Sequence, residues 1–376
     1  MNIRCKLMII LILLHLEGFA SPLYPAQLNF QKSKLQVTRI DTPGFSYREL
    51  SYKEIVDHTT GVVDIERSGD SLVFNRYPNE TIKVLSVSPT WEVRAHSTSG
   101  IATSFITNSN KLFLSGSIVQ NSPQSVPFHI FCNEKIIDVL PGKEDTTFNF
   151  SIDLDLPPGV KNKMIQIVFP AYSKGVLRRI CLQKGASLEK KIFKGKMLAY
   201  GNSISQNAGE YNGFLTLAAN NLGYSLHDAG IGGHIFQAEY LTQSLVKNPN
   251  IILVEYGTND WSGNKKADNA KPFLDKLCSM YPGVPVAVIE PLYRFNPANT
   301  DAADPFKNKL DQSLEDYRQA LRTICKEFKK VTVLDHKMLL PKNPDLFTDG
   351  VHLNEEGQKI LSDNLTTLIK KIIGNK

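Results

Sequence analysis

Between about residues 50 and 190 the apolar positions recur with a period of two. In Phe148-Asn149-Phe150-Ser151-Ile152-Asp153-Leu154, four large apolar residues alternate with polar ones, as a strand buried on one face requires. Comparable runs occupy 101–106, 112–119, 128–132, 164–169 and 176–182. Turn material such as Thr107-Asn108-Ser109-Asn110, Gln120-Asn121-Ser122-Pro123 and Pro157-Pro158-Gly159 separates them. The pattern predicts an antiparallel β-sandwich with no helix between its strands. After Lys191 the rhythm changes. Continuous apolar runs at 197–200, 251–256, 284–289 and 331–334 suit strands covered on both faces. Helical patterns lie at 214–222, 235–246, 273–280, 310–328 and 355–373. Alternating strands and helices predict an α/β domain, a parallel sheet between two helical layers, with ligands bound beyond the carboxyl ends of its strands. The expected organisation is an all-β domain over 27–188 and an α/β domain over 192–376, joined by the polar connector around Glu189-Lys190-Lys191.

Composition adds an address and removes some partners. With 376 residues, 42% hydrophobic and 21% charged, the chain has material for a large core, and two domains are the default. Residues 7–14, Leu-Met-Ile-Ile-Leu-Ile-Leu-Leu, follow Arg4 and Lys6 and precede Gly18-Phe19-Ala20. That is the layout of a secretory signal over 1–20, cleaved near Ala20. The run is too short to span a bilayer, so a secreted or periplasmic protein is expected. Loss of Arg4, Lys6 and Glu17 with the signal takes the net charge from +6 to +5. The basic residues are scattered, so nucleic acid is not an expected partner. Four cysteines then remain, Cys132, Cys181, Cys278 and Cys325, with no C-x-x-C pair to suggest zinc. Free thiols and one or two disulfides both stay open.

Three segments that follow predicted strands carry candidate chemistry. Gly201-Asn202-Ser203-Ile204-Ser205 sets a serine at an expected helix entrance, where backbone N–H groups and the helix dipole face developing negative charge. In Gly257-Thr258-Asn259-Asp260, the Asn259 amide is an oxyanion donor of the right type. Asp349-Gly350-Val351-His352 sets a carboxylate three residues before an imidazole, close enough to fix its tautomer. Nucleophile, oriented base and oxyanion donor are the three parts that acyl transfer needs. Asp335-His336 is a rival base after the 331–334 strand, disfavoured because no helix start is expected behind it. The eight histidines form no H-x-x-x-H spacing, so no metal and no cofactor are expected. The G-x-S-x-G elbow of α/β-hydrolases is absent, since Ser205 occupies its second glycine position.

Gly201-Asn202-Ser203, Gly232-Gly233, Gly257-Thr258-Asn259-Asp260 and Asp349-x-x-His352, in that order, resemble the four blocks of the SGNH (GDSL-type) hydrolase superfamily. The resemblance spans about residues 196–373. It implies Ser203 as nucleophile, His352 as general base and Asp349 as its orienting carboxylate, with Ser203, Gly233 and Asn259 forming the oxyanion hole. Alignment of Asp228-Ala229-Gly230-Ile231-Gly232-Gly233 with the second block selects Gly233 over Gly232. Asn202 stands where the family most often has Asp. Secreted members often carry a jelly-roll-like sandwich ahead of the hydrolase domain, as several carbohydrate esterases do. The implied activity is hydrolysis of acyl esters, acetyl esters on carbohydrate first among them. A lipase or lysophospholipase and a catalytically silent glycan-binding protein are the alternatives. His234, Trp261, Tyr293 and Arg294 are candidate substrate contacts, and the 295–306 stretch is a candidate loop over the site.

Overall fold

The alternation read at 148–154 becomes the strand Phe148–Asp155 in the computed structural model, with Phe150 and Ile152 buried and Asn149 and Asp153 exposed. The structure describes residues 42–119, 128–140, 147–206, 213–296, 299–304 and 306–374, all within one compact unit, Arg39–Lys376. The expected signal, residues 1–20, lies outside the described residues.

Two antiparallel sheets occupy the first half. One runs Asp64–Ser68, Ser71–Asn75, Lys174–Gln183, Lys111–Val119, Phe148–Asp155, with Tyr47–Glu49 also paired to Lys174–Gln183. The other runs Glu189–Lys190, Ala102–Thr107, Lys163–Val168, Phe128–Cys132, Lys135–Leu140, with Thr59–Thr60 added to Ala102–Thr107. Phe128 of one sheet meets Phe150 of the other with ring centroids 5.3 Å apart, the face-to-face packing of a sandwich.

The second half is built on a parallel sheet in the order Tyr224–Gly230, Gly195–Gly201, Ile251–Glu255, Val286–Ile289, Val331–Leu334. Its strands read as continuous apolar runs because alternate side chains enter different layers. Leu198, Tyr200, Ile252, Val254, Val286 and Val288 pack under the helices Ala270–Met280 and Leu314–Cys325. Met197, Ala199, Ile251, Leu253, Ala287 and Ile289 pack under Phe214–Leu222 and Glu355–Gly374. The chain leaves Gly195–Gly201 in one direction along the sheet and resumes at Ile251–Glu255 on its other side. The crevice between the carboxyl ends of these two strands is therefore the switch point where open α/β sheets bind ligands.

Several elements depart from the expectations. Tyr224–Gly230 is a strand that no apolar run marks, because His227 and Asp228 interrupt it; both are nevertheless buried. The helix expected over 235–246 is a single 3-10 turn, Ala238–Tyr240. Phe236, Tyr240 and Leu241 have helix-like spacing and are buried, but they anchor an irregular backbone. The first half, expected to lack helices, contains Tyr52–His58, Asn79–Leu85 and Pro89–Ala95. Seven residues are too few for a helix to persist by itself, and the last two are held by tertiary contact. Tyr77, Leu85 and Ala95 join the core on one face of the parallel sheet. The Tyr240 hydroxyl donates to that of Tyr77 at 2.8 Å, and Thr81 Oγ1 lies 2.6 Å from Thr242 Oγ1. All four cysteines are free. Among the described residues no helix is long and apolar enough to cross a membrane.

Arg76 ties these parts together. It is 1% exposed, and a guanidinium so deep must direct its donors to protein acceptors. Nε donates to the Ser97 carbonyl at 2.9 Å, and Nη2 donates to the Arg94 carbonyl at 2.8 Å and to Ser97 Oγ at 3.1 Å. Nη1 reaches the end of the Tyr224–Gly230 strand, donating to the carbonyls of Asp228 at 2.8 Å and Gly230 at 3.2 Å. Replacing Arg76 with Ala strands these carbonyl acceptors, and the expected loss in urea unfolding is about 3 kcal/mol. A loss below about 1 kcal/mol would show that the carbonyls find other donors.

Candidate active site

Ser203 follows the strand Gly195–Gly201 in a tight turn closed by the Gln206 N–H on the Asn202 carbonyl at 2.9 Å. A Cβ on Gly201 would lie 2.1 Å from Ser205 Oγ, so the turn requires glycine there. The helix expected over 214–222 is observed as Phe214–Leu222 with Gly213 at its N-cap, so Ser203 does not stand at its entrance. Ser203 therefore owes its environment to the turn, and not to the dipole of that helix.

The candidate base comes from near the end of the chain. His352 Nε2 lies 2.8 Å from Ser203 Oγ, and His352 Nδ1 lies 2.7 Å from Asp349 Oδ2. The second carboxylate oxygen, Asp349 Oδ1, accepts the backbone N–H groups of Val351 at 2.9 Å and His352 at 2.8 Å. Burial alone would raise the Asp349 pKa, but the His352 side chain and these two N–H groups hold it down to about 2. An ionised Asp349 keeps the proton on Nδ1, so Nε2 offers its lone pair to the serine hydroxyl. The loop has a brace in the 295–306 stretch, where the Phe295 N–H donates to the Gly350 carbonyl at 2.8 Å. Gly350 has φ +81°, and a Cβ there would lie 2.2 Å from the Phe295 carbonyl oxygen.

Two glycines compete for the oxyanion side. The Gly232 N–H donates to Gln206 Oε1 at 2.6 Å, and the Gly232 carbonyl accepts Arg94 Nη1 at 2.7 Å. Gly233 adopts φ +77°, and its N–H has no acceptor among the described residues. Asn259, in the short helix Thr258–Ser262, donates one amide hydrogen from Nδ2 to the His234 carbonyl at 3.1 Å, which fixes the amide while its second hydrogen remains.

The candidate substrate contacts are mostly packing groups. His234 is fully buried, with Nδ1 3.1 Å from the Tyr256 hydroxyl; burial lowers its pKa to about 3, and it stays neutral. Trp261 is also buried and donates Nε1–H to the Gln312 carbonyl at 2.9 Å. Neither forms an accessible wall. Tyr293 packs its ring against His336, with centroids 4.8 Å apart. Arg294 does reach the site: Nη1 donates to Thr258 Oγ1 at 3.4 Å, and the charge is close enough to Asp349 to interact with it. The rival base His336 is buried at the start of the short helix His336–Leu339, a helix the sequence reading did not expect. Its Nδ1 lies 2.9 Å from Glu290 Oε2, and Arg322 grips the same carboxylate, so His336 belongs to a separate ion-pair network.

Two groups of residues at the site went unrecognised in the sequence. Glu255 ends its strand 1% exposed. Asn202 Nδ2 donates to Glu255 Oε1 at 2.9 Å, and Ser205 Oγ donates to Glu255 Oε2 at 3.0 Å. Burial pushes the Glu255 carboxyl up to about 7 against the pull of those hydrogen bonds. The signal was available: a carboxylate closing an otherwise apolar strand at the switch point. The second group, Trp91 and Arg94, comes from the Pro89–Ala95 helix of the first half. A Cβ on Gly233 would lie 3.2 Å from Arg94 Nη1 and 3.6 Å from Trp91 Nε1. No local pattern marks these two.

Comparison with known proteins bears on the family and the fold. Residues 199–360 match the model of the GDSL-like Lipase/Acylhydrolase family. A salicylyl-acyltransferase from a tetracycline biosynthetic pathway superposes with a TM-score of 0.71 at 18% identity, over 87% of this chain and 97% of its own. A putative GDSL-like lipase from Bacteroides ovatus gives 0.64 at 18%, over 88% and 98%. A family two carbohydrate esterase from Cellvibrio japonicus gives 0.57 at 14%, over 88% and 98%. At these identities the likeness is one of fold, and it extends across both halves. No curated relative matches the sequence.

The depressed Asp349 pKa has a testable sign. Its pairing contributes stability above the ordinary value of 3.8 and loses it as pH falls through about 2. In His352→Ala the carboxyl loses the imidazole while remaining partly buried, and a carboxyl-carbon NMR titration is expected to show its midpoint rising toward or above 3.8. A midpoint still near 2 would mean that the backbone N–H groups alone set it.

Proposed function

We propose, from the match of residues 199–360 to the GDSL-like lipase/acylhydrolase family model, that this protein is an exported serine esterase that removes acyl groups, acetyl first among them, from carbohydrate. The observation that carries the proposal is the continuous chain from Ser203 Oγ to His352 Nε2 at 2.8 Å and from His352 Nδ1 to Asp349 Oδ2 at 2.7 Å.

In the proposed reaction, Ser203 Oγ attacks the ester carbonyl as His352 Nε2 takes its proton, and Asp349 stabilises the imidazolium that results. The tetrahedral oxyanion is bound by the N–H groups of Ser203 and Gly233 and the remaining amide hydrogen of Asn259. Each such donor typically lowers the barrier by about 3 kcal/mol. His352 then gives its proton to the departing alcohol, leaving an acyl-Ser203 ester. A water deprotonated by His352 hydrolyses that ester and restores the serine.

The choice of substrate rests on neighbours of the same two-part fold, among them the Cellvibrio japonicus carbohydrate esterase and an acetyl xylan esterase from Butyrivibrio proteoclasticus. The signal-like segment behind Arg4 and Lys6 supports export, where an acylated polysaccharide would be met.

The test compares wild type with Ser203→Ala on nitrophenyl acetate, nitrophenyl laurate and an acetylated polysaccharide. Wild type is expected to release acetate and to prefer the acetyl ester, and Ser203→Ala to lose activity by roughly a thousandfold or more. Equal rates in the two proteins would overturn the nucleophile assignment, and a preference for laurate would turn the reading toward a lipase.

A further inference from the structure

The strand Ile251–Glu255 carries four apolar residues into the sheet and ends on a carboxylate that is 1% exposed. A carboxyl group removed from water costs several kcal/mol unless donors replace the solvent. Among the described residues no lysine or arginine forms an ion pair with Glu255; its two oxygens are satisfied by Asn202 Nδ2 and Ser205 Oγ. These residues flank Ser203 on either side.

Asn202 is held at both ends. Its Nδ2 donates to Glu255, and its Oδ1 accepts the Ile204 N–H at 2.9 Å. Reversing the amide would set Oδ1 against a carboxylate and Nδ2 against an N–H, so both partners select one orientation. Ser203 therefore sits between two residues pinned to one buried carboxylate. The same turn ends at Gln206, whose Oε1 accepts the Gly232 N–H at 2.6 Å, so its position also governs the backbone that leads into Gly233.

We infer that Glu255 is a positioning residue for the Ser203 turn, and that Asn202 stands at its position because Glu255 requires a donor there. The inference rests on the esterase reading above. An Asp at 202, the residue usual in the resembling family, would face Glu255 with a second carboxyl group, and the pair would have to bind a proton that the Asn202 amide makes unnecessary. A Gln at 255 would supply the missing donor: its amide nitrogen can donate to the carboxylate introduced at 202 while its amide oxygen accepts from Ser205 Oγ.

The test is a cycle of four proteins: wild type, Asn202→Asp, Glu255→Gln, and the two substitutions together. On nitrophenyl acetate, Asn202→Asp is expected to lower kcat about tenfold or more with KM within about twofold, the pattern of a misplaced nucleophile rather than a lost binding contact. The double variant is expected to recover at least about a third of wild-type kcat. A double variant no better than Asn202→Asp, or an Asn202→Asp protein with wild-type kcat, would overturn the inference. Should Asn202→Asp fail to fold, the double variant decides alone: folded and active supports the pairing, folded and inactive overturns it. Thermal melting of the four proteins reads the pairing without catalysis. A melting temperature lowered by Asn202→Asp and restored in the double variant is expected, and additive effects would count against it. An inactive wild type with a restored melting cycle would sink the esterase reading while leaving the Asn202–Glu255 pairing standing.

Discussion

The site depends first on a buried cation from the half of the chain that carries none of the proposed triad. Arg76 binds the carbonyls of Arg94 and Ser97 on one side and those of Asp228 and Gly230 on the other. Gln206 extends the same network, donating from Nε2 to the Arg94 carbonyl and Ser97 Oγ while its Oε1 accepts the Gly232 N–H. Arg94 then holds the Gly232 carbonyl. The turn bearing Ser203 and the turn bearing Gly233 are thereby fixed to one buried scaffold. The sandwich half is consequently a structural part of the site, through the Pro89–Ala95 helix and the residues around it.

The other groups come together through sheet topology. Gly195–Gly201 and Ile251–Glu255 are adjacent parallel strands, so the loops that follow them emerge side by side at the switch point. Ser203 and Asn259 arrive by that route. His352 and Asp349 stand before the last helix, Glu355–Gly374, with Phe295 bracing their loop from the side. Each functional group is thus carried by a rigid element or tied to one within a few residues, which is what a preorganised site needs.

What the sequence revealed follows from how local each signal is. Asp349 and His352 lie within one turn of chain and bond to each other, so their relation could be read from spacing alone. Gly201, Ser203 and Asn259 sit directly after apolar strands, which the period of hydrophobic positions located. Arg76 could not be read, since all but one of its acceptors are backbone carbonyls, one of them 152 positions away, and no side-chain pattern records a carbonyl. The Tyr224–Gly230 strand was hidden by His227 and Asp228, polar residues whose burial is offset by the Arg76 carbonyl 3.0 Å from His227 Nε2, and by the Gly230 N–H and the nearby Arg76 charge at Asp228. The helices Asn79–Leu85 and Pro89–Ala95 were hidden by their shortness, since tertiary packing rather than periodicity sustains them. Glu255 was visible as a residue and unread as a signal.

In the proposed reaction Ser203 attacks the acyl carbon and carries it as an ester. The most direct measurement is the peptide mass map of the protein after reaction with an alkyl fluorophosphonate, which traps a serine activated by a neighbouring imidazole. One phosphonyl group per chain is expected, on the peptide containing Ser203, and none in His352→Ala over the same time. A label on another residue, or equal labelling of Ser203 in both proteins, would contradict it.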